Sequence, residues 1–513
     1  MMWLIVMAGV GSLVTTGFVA VHHMHMFQLG SYQWREQFTW LGAHLSSWIL
    51  QVMALAAALL ALVAPIAGVI IFLIVCALVV VVARPRRDTK KPLVFTSRVN
   101  RMFITIALFA IATFVVALVV PLPWAILVVA LPAIVSPLVV ICVNWINAPV
   151  EFGVRQHYLR DAKRILSAHT NLIIIGITGS YGKTSVKYYL ATLLKAHFNV
   201  LMTPESYNTP MGITKTIRSD LRATHEVFVC EMGARRQGEI KEDCDLVQPT
   251  MGIITAIGEQ HLETFGSPEV IMATKWELAD SVAGKGMLYL NGDDAKLREK
   301  ESDQERWFYG LESTNGTYAH DVQVSLTGTS FSLTHRGQEY TGFRTTLIGE
   351  HTIQNLAGAM AVALDLGVSL PELRASMRKL QPAPHRLAMS RQGPLTIIDD
   401  AYNSNPAGAK AALDTLAMFP AAKILITPGM VELGSRQEAL NEEFGVQAAI
   451  CDHVFLVGAK QTKPIANGLL STGYDPSKLT IVEDVREALA QAQGLTVSGD
   501  KVILLENDLP DNY

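Results

Sequence analysis

The chain has 513 residues, half of them hydrophobic, with 42 Lys/Arg against 45 Asp/Glu and a net charge of −3. Up to residue 145 there are eight basic residues and two acids, net +6, so the remainder carries −9. An acidic soluble part argues against nucleic acid as the main partner, and five scattered cysteines without a C-x-x-C fit a reducing compartment and leave no zinc motif.

Residues 1–145 read as a transmembrane helical region. An apolar run opens it at 3–20; no basic stretch precedes the run and no small-x-small site follows, which disfavours a cleaved signal peptide. Residues 47–83 hold 37 positions without a charge, too many for one crossing, and Pro65 near the middle predicts a hairpin of spans at about 47–64 and 66–83. A second hairpin is predicted at 102–120 and 124–143, turning at "PLP". The expectation is about five spans, or four if the first run only lies on the surface. Between the first two spans, His22, His23 and His25 stand close together among Phe27, Tyr32, Trp34, Phe38 and Trp40. Histidines in an aromatic interface layer are a plainer reading there than a metal site.

The loop at 84–101, "RPRRDTKKPLVFTSRVNR", holds seven of the eight basic residues and should face the cytoplasm. Two crossings later the chain is cytoplasmic again, which predicts a multi-pass protein of the cell membrane with its soluble part inside. Residues 146–170 read as a basic amphipathic linker helix.

From 171 to 383, strands alternate with helices in the pattern of a mostly parallel sheet covered by helices. Short alternating runs at 306–350 predict a small antiparallel insert. Residues 384–513 form a second α/β unit of Rossmann-like topology without a G-x-G-x-x-G. The fold class is therefore α/β, behind a multi-span helical membrane region.

"NLIIIGITGSYGKTSVKYYLATLLKAHF" is a buried strand, a Gly-rich turn and a helix. Counting five places back from Gly182 reaches Ile177, and the nearer glycine is Gly179, so the turn is a shortened phosphate loop. Gly179, Ser180 and Gly182 let backbone N–H groups converge on phosphate oxygens at a helix N-terminus. Lys183 supplies a cation, and Thr184, followed by Ser185, can place a hydroxyl on Mg2+. Glu231 ends the strand in "VFVCEMGA" and His261 follows another in "ITAIGEQH". Ligands collect at the carboxyl ends of parallel strands, so both can complete a metal shell.

"GSYGKTS", "EMGARRQGEI", "GEQHLETFGSPEVIMATKWE", "GEHTIQNLAGAMA", "PHR", "DDAYNSNP" and "GMVELGSR" resemble, in that order, the Mur ligase family of ATP-dependent amide ligases. The last two look most like the MurF branch, which adds D-Ala-D-Ala to UDP-MurNAc-tripeptide. The resemblance covers about 171–513 and implies a role for each matching residue. Lys183 and Thr184 match the phosphate-loop lysine and the Mg2+ hydroxyl, and Glu231 and His261 match metal ligands. Lys275 matches a lysine that is carbamylated in much of the family, where it helps to hold a second metal. Asn355 matches an adenine-side contact, Arg386 an arginine that reaches the γ-phosphate, and Asp400 an acid near the ribose. Tyr402, Asn403 and Asn405 match the branch motif around nucleotide and acceptor. Asn208 and Thr209 fall in a loop that resembles the substrate side. Two departures stand out: the family's UDP-sugar domain is replaced by membrane spans, and "VILLENDLPDNY" lacks the Lys-Gly-Ser found near the end of many relatives.

The resemblance implies ATP and two Mg2+ ions as cofactors. It implies a UDP-linked or lipid-linked muramoyl peptide as acceptor and an amino acid or dipeptide as the amine. Alternatives are a ligase for a non-murein peptide or polyglutamate acceptor, and an inactive membrane scaffold. A transporter driven by a nucleotide switch is disfavoured by spans without internal acids or bases.

Overall fold

A computed structural model describes residues 2–30, 32–43, 46–82, 92–258, 260, 262–402, 404–459 and 461–508. His261, Asn403 and residues 83–91, with five of the seven basic residues of the 84–101 stretch, lie outside the described residues. The chain divides into two compact units, Met1–Gln156 and His157–Asp508.

The described residues of the first unit form α1 (Met2–Leu29), α2 (Trp34–Ala43), α3 (Ser46–Leu60), α4 (Pro65–Val82), α5 (Ser97–Ala117) and the first part of α6 (Leu122–Ser167). Four of them (α1, α4, α5 and α6) are long and apolar enough to cross a membrane. The fifth expected span is α3, only 15 residues long. At about 1.5 Å per residue it falls short of a hydrocarbon core about 30 Å thick. The chain turns at 61–63 because Pro65 has no N–H to continue a helix, and Pro65 instead starts α4. Gly68 keeps the hairpin tight, since a Cβ there would stand 2.4 Å from the Ala61 nitrogen. His22, His23 and His25 lie on α1 itself, not in a loop.

Small residues such as Ala8, Ala54, Ala57, Ala58 and Ala61 pack with Phe72 inside this unit. Large apolar side chains such as Ile49, Ile70, Ile74, Val81, Leu108 and Val119 point outward. Small-in and large-out is how helices pack where the surroundings are lipid. Two basic residues of the 84–101 stretch are also structural: Arg101 grips Glu151 through two bonds of 2.7 and 2.8 Å, and Arg98 donates to Asn144 at 2.8 Å. They tie α5 to α6.

The expected boundary between a last span and a separate linker helix is not there. Residues 122–167 form one 46-residue helix with Pro132, Pro137 and Pro149 inside it. Each proline removes one backbone bond, and membrane helices tolerate this because neighbouring groups re-satisfy the freed carbonyls.

The second unit holds two sheets. The first contains β1 (Ile173–Thr178), β2 (Val200–Met202), β3 (Val227–Glu231), β4 (Met251–Ile254), β5 (Leu288–Asn291), β6 (Arg306–Gly310), β7 (Thr317–Ser325), β8 (Gly328–His335) and β9 (Gln338–Thr345). Their order is β2-β3-β1-β4-β5-β6-β7-β8-β9. β7–β9 are antiparallel as expected, but they are no separate insert: β6 pairs in parallel with β5 and hands the sheet on to β7. The second sheet contains β10 (Ala388–Gln392), β11 (Leu395–Asp400), β12 (Ala422–Thr427), β13 (His453–Val457), β14 (Leu479–Val482) and β15 (Lys501–Glu506), in the order β10-β11-β15-β12-β13-β14. Only β10 runs antiparallel to its neighbour.

β1 lies between β3 and β4, with Ile177 beside Glu231 and Thr178 beside Ile254. Its helix, α7 (Lys183–Leu194), buries Val186, Tyr189, Leu190, Leu193 and Leu194. The carboxyl ends of three buried strands thus meet at the Gly-rich turn.

Candidate nucleotide and acyl-transfer site

The turn between β1 and α7 needs its two glycines. Gly179 has φ 147° and a Cβ there would stand 2.1 Å from the Thr255 hydroxyl; Gly182 has φ 80° and a Cβ would meet the Asn355 carboxamide at 2.5 Å. Positive φ and the close Thr255 and Asn355 side chains therefore forbid a side chain at either position. Ser180 fixes the turn by donating its N–H to Ala256 O at 2.7 Å and its hydroxyl to Gly258 O at 3.0 Å. Lys183 folds back over the turn and donates to Gly179 O at 2.6 Å and Ser180 O at 3.1 Å. Desolvation pulls its ammonium down to about 8; Glu231 opposes this and the Arg386 charge adds to it.

Glu231 is 2% exposed at the end of β3. Its Oε1 accepts from the Thr184 hydroxyl at 3.2 Å and from the Asn208 amide at 3.1 Å, and Lys187 Nζ lies 2.9 Å from Oε2. A buried carboxylate sharing an oxygen with a hydroxyl is a hard-oxygen donor set, the kind Mg2+ takes, so Thr184 and Glu231 fit that ion. Among the described residues no three His, Cys, Asp or Glu side chains cluster as a metal site. Lys275, 3% exposed on the helix Pro268–Val282, is pulled down to about 7 by burial and by the charge on Lys183.

Arg386 reaches the cleft from a kinked segment. His385 and Leu387 on either side of it have φ 56° and 49°, a conformation costly for non-glycine residues. The two acids of "DDAYNSNP" hold the kink: Asp399 Oδ2 lies 2.7 Å from His385 Nδ1, and Asp400 Oδ1 accepts from Leu387 N at 3.1 Å. Arg386 itself lies 4.7 Å above the Tyr402 ring. Burial pushes Asp400 up to about 6 against the pull of Arg386 and of the Leu387 N–H.

The phosphate loop, Arg386 and Asp400 line one cleft of about 290 Å³, while Gly179, Asn208, Glu231 and Lys275 do not line it. Of the sequence-predicted residues, Ser180, Gly182, Lys183, Thr184, Ser185, Asn355, Arg386, Asp400 and Asn405 line it. Asn405 also caps the helix Pro406–Ala417, accepting from Gly408 N at 2.9 Å. Tyr402 faces an adjoining cavity of about 370 Å³ with Thr184, Glu205 and Arg386. Thr209 has a plainer task, since its hydroxyl caps the helix Pro210–Asp220.

Two residues escaped the sequence reading. Lys187 is fully buried and donates to Glu205 O at 2.6 Å as well as pairing with Glu231. The signal was its place one turn past Thr184 on the same helix face. His351 lines the cleft inside "GEHTIQNLAGAMA", and burial lowers it to about 4, so it is a neutral ring at physiological pH.

Comparison with known proteins matches residues 177–363 to the Mur ligase middle domain and 385–505 to the Mur ligase glutamate ligase domain. The UDP-N-acetylmuramoyl-tripeptide–D-alanyl-D-alanine ligase of Escherichia coli is 29% identical over 336 residues, 63% of this chain and 73% of that one. The enzyme of the same name from Bacillus subtilis is 30% identical over 335 residues, 64% of this chain and 72% of that one. In the Mycobacterium tuberculosis relative, 32% identical over 337 residues, the match takes in 64% of this chain but only 62% of that one. Among solved structures, MurF from Acinetobacter baumannii superposes with a TM-score of 0.63 at 27% identity, covering 69% of this chain and 77% of that one. MurF from Thermotoga maritima in complex with ADP gives 0.61 at 25% identity, covering 69% and 80%. The long apolar helices stand where the UDP-binding domain of these relatives would be.

Proposed function

We propose, from the premise that this chain belongs to the Mur ligase family of ATP-dependent amide ligases, that it is a membrane-anchored, MurF-like ligase. On this reading it joins a dipeptide such as D-Ala-D-Ala to a muramoyl-peptide carboxylate. The observation that carries the chemistry is the convergence of Lys183, Thr184 and Arg386 on one cleft, with Glu231 bonded to Thr184 behind it. An inactive scaffold has no use for that arrangement.

A carboxylate does not condense with an amine in water without activation. In the proposed reaction a carboxylate oxygen of the acceptor attacks the γ-phosphorus of ATP, ADP leaves, and an acyl phosphate forms. The amine then attacks the carbonyl carbon, loses a proton, and expels phosphate. Lys183 and Arg386 neutralise the phosphoryl charge, and the backbone N–H groups of the turn other than that of Ser180 orient the phosphate oxygens. Thr184 and Glu231 would hold Mg2+, with His261 and a carbamylated Lys275 in the same role; the ion supplies charge neutralisation at the transferring group. Lys183 and Arg386 belong to different sheets, so closure of one on the other precedes chemistry. Asn208, Tyr402, Asn403 and Asn405 are proposed contacts of the acceptor and amine.

The spans take over the work of the missing sugar-nucleotide domain by bringing a lipid-linked acceptor to the cleft. A fragment starting near residue 150 should still bind Mg-ATP. It should use its natural acceptor with a raised KM more than a lowered kcat, because a remote handle contributes equally to ground and transition states. Phosphate release from full chain and fragment, against lipid-linked and soluble UDP-linked acceptors, checks this. Equal efficiency of both proteins on the soluble acceptor would leave the spans as a simple tether.

Sidedness follows from the basic stretch at 84–101 and the two crossings α5 and α6 beyond it. Whether α3 crosses does not alter this part of the topology. A reporter fused at residue 170 should be active only inside the cell. Activity only outside would overturn the topology and the access to cytoplasmic ATP.

A further inference from the structure

The end of the last strand of the second sheet, β15, and the residue after it do unusual work. Glu506 is the last residue of β15 and fully buried. Its Oε2 accepts from the Thr427 hydroxyl at 3.0 Å, and that hydroxyl accepts from Gly429 N at 3.0 Å. Its Oε1 meets the Ser404 hydroxyl. Asn507, at φ 66°, accepts from Ser404 N at 3.2 Å, donates its amide to Gly429 O at 2.6 Å and its backbone N–H to Asp400 O at 3.2 Å. Two consecutive residues thus join the loop after β11 to the turn after β12. β11 ends on Asp400, and the chain after it leads to Asn405; both line the nucleotide cleft.

We propose that Glu506 and Asn507 are positioning residues for nucleotide binding: they hold Asp400, at the end of β11, and Asn405 beyond it at their working distance from the phosphate loop. The inference rests on reading the cleft as a nucleotide site. Glu506 works as a neutral acid. The charged group acting on it is Asp400; Ser404, Thr427 and Asn507 around it are uncharged. Burial, with Asp400 adding to it, pushes Glu506 up to about 8. The Ser404 and Thr427 hydroxyls both donate to it and so favour the carboxylate, but burial and Asp400 outweigh them. Ionised, it sets a buried charge facing Asp400.

The folded protein therefore keeps the Glu506 proton to a higher pH than the unfolded chain, whose glutamates titrate near about 4.3. Stability falls as pH rises from there to about 8 and is level beyond. Glu506→Gln keeps the shape of the protonated acid, with an NH2 for Ser404 and an oxygen for Thr427, and should remove this slope.

The test measures ADP affinity calorimetrically, with thermal unfolding in parallel, on the full chain in detergent. Glu506→Ala should bind ADP roughly tenfold more weakly. Glu506→Gln should match the wild type at pH 7 and lose less affinity than it by pH 9. Lys183 adds an alkaline limb to both proteins, so the readout is the difference between them. Wild-type ADP affinity in a folded Glu506→Ala, or superimposable pH profiles for wild type and Glu506→Gln, would overturn the inference. If Glu506→Ala does not fold, the pH comparison decides alone. A wild type that binds no ADP at any pH would overturn the nucleotide reading itself, and is told apart by needing no variant.

Discussion

Arg386→Ala should lower kcat roughly 10³-fold or more, the scale of removing an arginine that stabilises a transferring phosphoryl group. Its guanidinium is fixed from both sides: it lies 4.7 Å above Tyr402, and Asp399 and Asp400 hold the kinked residues flanking it. On the proposed reading, a side chain so placed would meet charge as it develops on the γ-phosphoryl group, more than in the bound ground state, so the loss should fall on kcat. ADP lacks that group, and its affinity should change only a few-fold. Arg386→Lys should recover little, because an ammonium cannot reproduce a planar fork stacked on a ring. Steady-state phosphate release beside ADP titration separates the two quantities. A wild-type kcat in Arg386→Ala would remove the residue from the chemistry.

Lys275→Ala should cost about 10²–10³ in turnover, the range for losing one fixed electrostatic partner of the transition state. A lysine 3% exposed beside a phosphate loop is a poor neighbour for Mg2+ as a bare ammonium. The neutral amine can add to carbon dioxide and lose a proton, forming a carbamate that attracts the ion. Acetate or formate added to Lys275→Ala should then restore part of the activity by standing in for the missing anion. Carbon-13-labelled bicarbonate should give the wild type a carbamate resonance that the variant lacks. Full activity in Lys275→Ala would show that the position has no such role.

The residues legible in the sequence are those whose task depends on close neighbours in the chain. Gly179, Gly182, Lys183 and Thr184 act within one turn, and the strand before and helix after them are equally local. Glu231 was readable because a carboxylate at the end of an apolar strand has few other uses beside such a turn. Glu506 was not, because its partners Thr427 and Ser404 lie 79 and 102 positions away. Lys187 looked like an ordinary helix lysine until the fold closed Glu205 and Glu231 around it. The membrane part failed in two instructive places. A last span ending near 143 and a separate linker helix were expected, yet α6 runs through both, because a change from apolar to amphipathic composition does not by itself end a helix. An uncharged run of 37 residues gave enough length for two spans, yet the turn before Pro65 divided it unequally into α3 and α4. The antiparallel strands at the end of the first sheet were visible as strands, but their joining through β6 was not, because pairing between strands is decided by tertiary contact.

β15 lies between β11 and β12, at the centre of the second sheet, although it is made after every other strand of that sheet. During synthesis, β10 and β11 form one edge and β12–β14 another, and no ladder joins them until β15 emerges. Domains fold in the order they leave the ribosome, so the first sheet with its phosphate loop can close early, while the part that carries Asp400 and Asn405 stays open. Ligase competence is then timed by the chain itself. The hydrophobic helices are handed to the membrane long before the cleft is whole, and a translating ribosome carries an enzyme that cannot yet spend ATP.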